Sequence, residues 1–191
     1  MSNKETSSLD HYISQIDLLL NRALQKIDQL DWITLSSVQI KNGESLPDAR
    51  TVVLRKILKN RELVFYTDRR SPKVEQFKQN KNAVALLYDR TAQLQLRIHG
   101  VIEIDTQSAL YEDARGRIPT QAKVNYNTLH APGSPAHSIE PDRNKEVLHF
   151  ALLRFLPHTF DLLHLTPEGG KRIEVKSTNE GMLGEARWLV P

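Results

Sequence analysis

The stretch that most constrains the fold is residues 48–73, DARTVVLRKILKNRELVFYTDRRSPK. Residues 50–55 form a first candidate strand with consecutive apolar residues at its centre, and residues 62–67 form a second one rich in β-branched and aromatic side chains. The polar Lys59-Asn60-Arg61 between them is typical of a turn. This order predicts an antiparallel hairpin that leads directly into a helix.

The helix that follows the hairpin offers a candidate anion site. Ser71 is a favoured N-cap, and Pro72 is favoured at the first helical position. The N-terminus of a helix exposes unpaired N–H groups and the positive end of the helix dipole. Cations and hydroxyls surround it in the sequence: Arg50, Thr51, Arg55, Lys56, Thr67, Arg69, Arg70, Ser71 and Lys73. Two interpretations stay open from the residues alone, a solvated basic surface and a phosphate held against an apolar sheet.

Length and composition set the broad class. The 191 residues suit a single domain over 1–191, with 39% hydrophobic and 26% charged residues. The net charge of +3 does not by itself indicate a nucleic-acid partner. Without cysteine, disulfides, thiolate metal sites and cysteine nucleophiles are excluded. The first ten residues lack the apolar run of a signal peptide and no stretch reaches the length of a membrane span, so we expect a cytoplasmic protein.

The periodicity along the chain predicts a mainly β fold with flanking helices. Residues 1–8 are expected to be disordered, and apolar residues at three- and four-residue steps predict an N-terminal helix over 9–30. Asn42-Gly43 is a hairpin turn signal, and Gly100 marks a bulge or a close backbone approach. Besides the hairpin, strands are predicted at 32–40, 83–88, 93–104, 150–155, 160–165 and 171–176, with helices at 71–80 and from about 106 to 116. Such a set of strands favours a closed or partly open antiparallel barrel.

Residues 116–145 have little periodicity and include APGSPAH at 131–137. A loop of this length in a compact domain tends to be functional or mobile. The sequence contains no dinucleotide-binding glycine motif, no P-loop, no HExxH and no GxSxG, and His158 and His164 are better explained by packing or surface than by metal binding. This pattern suits a site in which a cofactor carries the reaction and the protein binds and orients it. No catalytic residue is predicted, and no metal is expected.

Four blocks carry a resemblance to a known family. RTVVLR, FYT, SPK and QLRIHG, in this order and with similar gaps, resemble pyridoxamine 5'-phosphate oxidase and its relatives, the FMN-binding split β-barrels. The resemblance implies FMN as cofactor and a homodimer with FMN at the subunit interface. Together with the helix N-terminus at Ser71, it implies these cofactor-binding residues: Arg50, Thr51, Val52, Val53, Leu54, Arg55, Tyr66, Thr67, Ser71, Lys73, Gln95, Phe150 and Lys176. Alternation along a strand puts Arg50 and Arg55 on opposite faces, so both reach one ligand only if the strand bends.

The substrate side is implied less completely. Tyr111 and Arg115, four residues apart on one helix, match a pair that grips the substrate phosphate in the family's oxidases, and Arg172 matches the arginine of an Arg-x-His clasp. Three positions depart from the oxidase pattern: Arg55 replaces a lysine, Glu174 replaces the histidine, and the chain ends ARWLVP. The resemblance therefore implies an FMN-binding oxidoreductase related to the oxidases, with a small anionic substrate for which pyridoxamine or pyridoxine 5'-phosphate is the default.

Other functions stay open at this point. One is a flavin or small-molecule reductase that uses a nicotinamide, and another is a flavin-binding protein without turnover. A barrel that binds RNA or DNA would need aromatic side chains interleaved with Lys and Arg, but aromatic residues make up only 6% of the chain. We therefore expect neither a nucleic-acid nor a membrane partner.

Overall fold

A computed structural model describes residues 3–136, 138–144, 146–178 and 182–191. Its α-helices are α1 Asn3–Leu24, α2 Pro72–Gln79, α3 Ala109–Gly116 and α4 Thr120–Lys123. Its strands are β1 Trp32–Lys41, β2 Glu44–Ile57, β3 Leu63–Asp68, β4 Asn82–Asp89, β5 Leu94–Asp105, β6 Phe150–His164, β7 Lys171–Ser177 and β8 Leu183–Leu189. Residues 1, 2 and 137, on which parts of the sequence predictions fall, lie outside the described residues.

The eight strands form one antiparallel sheet that closes on itself. The strand order is β3-β2-β1-β4-β5-β6-β7-β8, and an additional pairing of β3 with β6 closes six of the strands into a ring. β6 makes this closure possible because it changes partner along its length, pairing with β3 at 150–155 and with β7 at 159–164. The predicted split β-barrel with flanking helices is confirmed.

The inside of the ring is apolar, as the alternation of β1 and β5 predicts. Leu35, Leu96, Ile98 and Phe155 are all fully buried there. α1 adds Ile16, Leu19, Leu20 and Ala23 to this core, and α2 adds Val74 and Phe77. Burying each large apolar side chain contributes roughly 1.5–3 kcal/mol, so the two helices are held on the barrel by packing rather than by helix propensity.

The N-terminal helix differs from its predicted bounds. It spans Asn3–Leu24 instead of 9–30, so residues 3–8, which were expected to be disordered, belong to its first turns. It ends earlier because Lys26, Asp28 and Gln29 adopt left-handed backbone conformations, with φ of 60°, 52° and 59°. The apolar periodicity of 27–30 therefore belongs to a short 3-10 turn, Ile27–Gln29, and not to the α-helix.

The C-terminal part is more β-rich than predicted. The two strands expected at 150–155 and 160–165 are one continuous strand, β6. Pro157 is tolerated within it because the register with β5 shifts between His99 and Gly100, at a bulge. β8 was not predicted, since its residues lack a clear alternation, and it forms by pairing with β7. β2 also runs beyond 50–55, because residues 44–53 pair with β1 and residues 54–57 continue alongside β3.

The predictions for the Asn42-Gly43 turn and for the Gly100 bulge are confirmed. Asn42 and Gly43 both have positive φ, 53° and 81°, as a two-residue hairpin between β1 and β2 requires. Gly100 lies at the β5 bulge, where a Cβ atom would be 2.2 Å from the carbonyl oxygen of Leu156. The glycine is there because two backbones approach closely.

Candidate functional site

The first turn of α2 gathers polar side chains at one end of the barrel. The turn before it is closed by the Ser71 N–H, which donates to the carbonyl of Asp68 at 3.0 Å. The Thr67 and Ser71 hydroxyl oxygens lie 3.1 Å apart, and Lys73 Nζ donates to Thr67 Oγ1 at 3.2 Å. Within the described part of the chain, no side chain caps this turn. Pro72 has no N–H, and the Val74 N–H donates to the Ser71 carbonyl at 2.9 Å, which leaves the Lys73 backbone N–H of this turn to an anion.

Arg50 reaches the same region from β2. Its Nη1 donates to the carbonyl of Leu35 at 3.1 Å, and its Nη2 donates to Asp48 Oδ2 at 2.6 Å and to Gln76 Oε1 at 2.9 Å. Gln76, on α2, donates to Asp48 Oδ2 at 2.8 Å and accepts from the Ser37 hydroxyl at 2.6 Å. This network ties the strand to the helix and fixes the direction of Arg50. We call Arg50, Thr67, Ser71 and Lys73 the α2 cluster.

The α2 cluster holds two cations near each other. Burial lowers the pKa of Lys73, and the positive charge of Arg50 lowers it further, whereas Asp68 and Asp48 act in the opposite direction with less effect. A lowered lysine pKa means that the protein stabilises the charged ammonium form less well than water does. A bound dianionic phosphate would supply the missing negative charge.

The edge of β2 next to the α2 cluster is open. β3 pairs with β2 only from Leu54 onward, so among the described residues no strand covers that edge at 50–53. The side chains of Val52 and Leu54 are buried in the core, whereas Thr51 is exposed and Val53 half-buried on the outer face. The backbone N–H and C=O groups of this segment can therefore contact a ligand. The resemblance implies the same: that this segment lines the cofactor through its backbone.

Arg55 lies apart from the α2 cluster. It occupies the irregularity between Leu54 and Lys56, and its guanidinium carbon lies 5.5 Å from the centre of the Tyr66 ring. The bulge thus directs Arg55 toward Tyr66 and leaves Arg50 facing α2, so the separation expected from strand alternation holds. Burial raises the pKa of Tyr66, and the nearby Arg55 charge partly offsets that rise.

An aromatic cluster supports Tyr66 from behind. Phe150 is fully buried and contacts the rings of Tyr66, Tyr126 and Tyr111, at centroid distances of 5.0, 5.3 and 5.6 Å. Phe150 is predicted to bind the cofactor; in this structure its side chain is buried against the Tyr66 ring, and the cofactor contact stays a prediction. Burial also raises the pKa of Tyr126, which sequence reasoning missed because it lies in the aperiodic loop.

The predicted substrate pair on α3 is not brought together. Tyr111 is 7% exposed and stacks on Phe150, whereas Arg115 is exposed, with its Nη1 3.7 Å from Glu112 Oε2. α3 buries Tyr111 and Ala114 against β6, whereas the Arg115 side chain is exposed. Tyr111 therefore packs in the core in this structure, and its contact with substrate stays a prediction.

The other predicted residues lie on the outer face of the sheet. Gln95 on β5 and Arg172 on β7 both stand opposite Leu163 of β6. Lys176 stands opposite Thr159 and pairs with Glu185 at 2.9 Å. We call Gln95, Arg172 and Lys176 the sheet-face group. β5 is the third strand from β2 in the sheet, which at ordinary strand spacing is roughly 15 Å away. The α2 cluster and the sheet-face group of one chain are therefore separated by about this distance.

The long loop docks beside the α2 cluster. Arg70 Nη2 donates to the carbonyl of Thr128 at 2.9 Å and to Asp68 Oδ2 at 2.7 Å, and its Nη1 donates to the carbonyl of Leu129 at 3.1 Å. Gly133, with φ of +87°, lies so close to Pro72 that a Cβ would be 3.3 Å from the proline Cγ. Sequence reasoning missed this role of Arg70 because its partners are 58 and 59 residues away.

The loop also lines an open cavity of about 370 Å³. Its walls include Thr128, His130, Pro132, Ser134, Asp142 and Arg143. Because Gly133 of the same wall contacts Pro72, the cavity stands next to the first turn of α2.

Replacing Arg70 with glutamine should loosen this loop. The variant loses the hydrogen bonds to Thr128 and Leu129, and each bond from a charged donor contributes about 1.5–3 kcal/mol. We expect the amide of Leu129, which bonds Asp142, to exchange with solvent at least about tenfold faster. Hydrogen exchange by NMR measures this, and Arg69→Gln, at an exposed neighbouring site, is the control. Equal exchange rates in Arg70→Gln and the wild type would contradict the docking role.

In the described ranges no three acidic or histidine side chains come together as a metal site. The described helices include none with the length and apolar character to span a membrane.

The comparisons with known proteins agree with this geometry. Residues 12–106 match the sequence model of the family described as pyridoxamine 5'-phosphate oxidase, FMN-binding domain. That segment contains the α2 cluster and Gln95. No curated protein matches the chain.

Solved structures share the fold. A pyridoxamine 5'-phosphate oxidase-related, FMN-binding protein from Nostoc punctiforme is 24% identical, with a TM-score of 0.72 over 93% of this chain and 96% of that one. PhzG from Burkholderia lata, solved with tetrahydrophenazine-1-carboxylic acid, is 15% identical, with a TM-score of 0.67 over 98% and 92%. A Clostridium acetobutylicum protein related to general stress protein 26 is 17% identical, with a TM-score of 0.54 over 83% and 94%.

Proposed function

The chain belongs to the pyridoxamine 5'-phosphate oxidase-related family of FMN-binding split barrels, and from that membership we propose that it is an FMN-dependent oxidoreductase. The observation that carries the proposal is the convergence of Arg50 and Lys73 on the uncapped first turn of α2. Two neighbouring cations, two hydroxyls and the Lys73 backbone N–H form a receptor for a dianionic phosphate.

The chain's own residues bind and orient the cofactor. The side chains of Arg50 and Lys73 and the Lys73 backbone N–H hold the FMN phosphate, and the open edge of β2 offers backbone groups to the rest of the molecule. Arg70 holds the long loop beside that phosphate. A bound FMN would supply the redox chemistry, as an acceptor of a hydride from the substrate that oxygen or another acceptor reoxidises.

The site is completed by a second copy of the chain. The α2 cluster and the sheet-face group lie on strands roughly 15 Å apart, and because the resemblance implies FMN at a subunit interface, the partner is the proposed source of the second group. The outer face of the sheet exposes large apolar side chains such as Trp32 at 63% and Tyr88 at 49%, which a dimer would cover. Sedimentation velocity tests this, and a flavin-loaded monomer at micromolar concentration would contradict it.

Pyridoxine or pyridoxamine 5'-phosphate is the default substrate. A second candidate, an FMN-binding relative with another substrate or no turnover, is favoured by the placement of the predicted substrate residues. Tyr111 is buried, Arg115 is exposed on α3, and Arg172 bonds Asp161.

Replacing Arg50 with alanine should weaken FMN binding by about 10- to 100-fold. The variant loses one charged partner of the phosphate, worth about 1.5–3 kcal/mol, and every 1.4 kcal/mol is tenfold. Fluorescence titration of FMN measures the dissociation constant, with Arg117→Ala, at the exposed residue that follows α3, as control. If Arg50→Ala binds FMN as tightly as Arg117→Ala, the phosphate does not lie at the α2 cluster.

Turnover is tested on the FMN-loaded protein under anaerobic conditions. Pyridoxine 5'-phosphate is added and the flavin absorbance is followed. Bleaching supports oxidation of the default substrate, whereas bound but unbleached flavin supports the second candidate. If the protein binds no flavin at all, the proposed function is wrong and only the fold assignment stands.

A further inference from the structure

A buried amide stands behind the proposed phosphate site. Gln76 of α2 is 5% exposed, and Ser37 of β1 is 4% exposed. Gln76 Oε1 accepts from the Ser37 hydroxyl at 2.6 Å and from Arg50 Nη2 at 2.9 Å, and Gln76 Nε2 donates to Asp48 Oδ2 at 2.8 Å. An arginine can only donate and an ionised carboxylate can only accept, so the Gln76 amide has one orientation that satisfies its partners.

Asp48 is placed in this network by the register of the sheet. It stands opposite Ser37 across β1 and β2, and it precedes Arg50 by two residues, so the Asp48 and Arg50 side chains lie on one face of β2. Its Oδ2 accepts from Arg50 Nη2 at 2.6 Å as well as from Gln76. The hydrogen bond from Gln76 lowers the pKa of Asp48 and burial raises it by less; the charge of Arg50 lowers it further, so the carboxylate is ionised at neutral pH.

The hydrogen bonds of Arg50 leave two of its donors for a ligand. A guanidinium has five N–H groups. Both hydrogens of Nη2 are used, by Asp48 and Gln76, and Nη1 gives one hydrogen to the carbonyl of Leu35 at 3.1 Å. Within the described ranges, the Nε–H group and the second Nη1 hydrogen of Arg50 have no protein acceptor. These two donors are the ones that a phosphate can bind without breaking the network.

Asp48 is the charged partner in the network that holds Arg50. The Leu35 carbonyl and the Gln76 amide are neutral acceptors, and a hydrogen bond to an ionised acceptor is roughly twice as strong as one to a neutral acceptor. Among the described residues, no other acidic side chain pairs with Arg50. The direct repulsion between Asp48 and a phosphate is weakened by water, because 42% of the Asp48 side chain is exposed. The orienting effect of Asp48 on Arg50 should therefore exceed this repulsion.

We propose that Asp48 is a positioning residue for the flavin phosphate: it holds Nη2 of Arg50 against Gln76 so that the remaining donors of Arg50 point to the first turn of α2. The proposal rests on the proposed binding of FMN at the α2 cluster and deepens it. Asp48 acts through Arg50 and does not contact the flavin. A site that is ordered before the cofactor arrives avoids the entropic cost of immobilising Arg50 on binding.

Paired titrations with FMN and riboflavin test this role, because riboflavin is the same flavin without the phosphate. Asp48→Ala should weaken FMN binding about five- to tenfold, the cost of ordering a freed arginine, and should change riboflavin binding by less than about twofold. Asp48→Asn keeps an oxygen that accepts from Arg50 and Gln76, so its FMN affinity should stay within about twofold of the wild type. Rescue by asparagine distinguishes the orienting effect of Asp48 from the effect of its charge.

A double-mutant cycle shows whether Asp48 acts through Arg50. In the Arg50→Ala protein, the further change Asp48→Ala should alter FMN binding by less than about twofold, since the side chain that Asp48 positions is gone. Asp48→Ser keeps a polar side chain that is too short to reach Arg50, so it should show the same loss as Asp48→Ala. This second variant keeps the test valid if the alanine variant does not fold.

Three results would overturn the proposal. They are FMN binding by Asp48→Ala and Asp48→Ser at wild-type or higher affinity, an equal loss for FMN and riboflavin, and a loss in the Arg50→Ala protein as large as in the wild type. Failure of the proposed function looks different: the wild type then binds no FMN, or binds it no more tightly than riboflavin. If Arg50→Ala weakens FMN binding and Asp48→Ala does not, only the role of Asp48 is wrong.

Discussion

Replacing Gly100 with alanine is expected to destabilise the barrel by about 3 kcal/mol or more. The new Cβ would lie 2.2 Å from the carbonyl oxygen of Leu156 and 2.9 Å from two carbon atoms of the Phe155 ring. The carbonyl cannot simply retreat, because Leu156 is paired with Val101 between β5 and β6. For a chain of this size, such a loss lowers the melting temperature by roughly 6 to 12 °C.

Thermal unfolding of Gly100→Ala beside Gly116→Ala measures the effect. A Cβ at Gly116, the last residue of α3, meets no described atom within 4 Å. Alanine there should be neutral or stabilise by a few tenths of a kcal/mol up to about 1 kcal/mol. If both variants melt at the same temperature, the β5 bulge accommodates a side chain and the close approach does not constrain the fold.

Replacing Lys73 with methionine should weaken FMN binding by about 10- to 100-fold and yet stabilise the flavin-free protein. The binding loss follows from the removal of a charged phosphate partner, worth about 1.5–3 kcal/mol. The stabilisation follows from the lowered pKa of Lys73, which burial and the charge of Arg50 cause. Since the unfolded lysine is more readily protonated, its charge costs stability in the folded state.

The sign of this effect depends on pH in a defined way. The cost is fully present below the folded pKa of Lys73 and disappears as the pH rises to the ordinary lysine value of 10.5. The difference in melting temperature between Lys73→Met and the wild type should therefore shrink from pH 7 toward pH 10. Lys78→Met is the matched control, because Lys78 lies in the last turn of the same helix and pairs with the exposed Glu75. A flavin-free Lys73→Met protein less stable than the wild type would assign Lys73 a structural role.

Local sequence signals were sufficient for the hairpin and the start of α2. Ser71 and Pro72 fix a helix start by their own backbone preferences, and Asn42-Gly43 fixes a tight turn. The position of Arg50 near Lys73 followed from the order of these elements and from the family resemblance. These features depend on contacts between residues close in the chain.

The remaining parts depend on pairing across the sheet. Asp161 finds Arg97 and Arg172 because β6 lies between β5 and β7 in one particular register, and a shift by one residue would turn its side chain to the other face. Tyr111 has the spacing of a substrate residue, but the packing of α3 against Phe150 decides that it is buried. No single segment of the sequence is therefore sufficient to predict these contacts.

The change of partner along β6 also governs the order in which the molecule can assemble. Residues 12–106, the part that matches the family model, include β1 to β5 but end before the strand that joins β3 to β5. During synthesis, the free edges of β3 and β5 must wait for residues 150–164, and closing so long a segment carries an entropic cost that slows folding. Until then both edges are open to other chains, so the step most exposed to aggregation is the interval before β6 emerges.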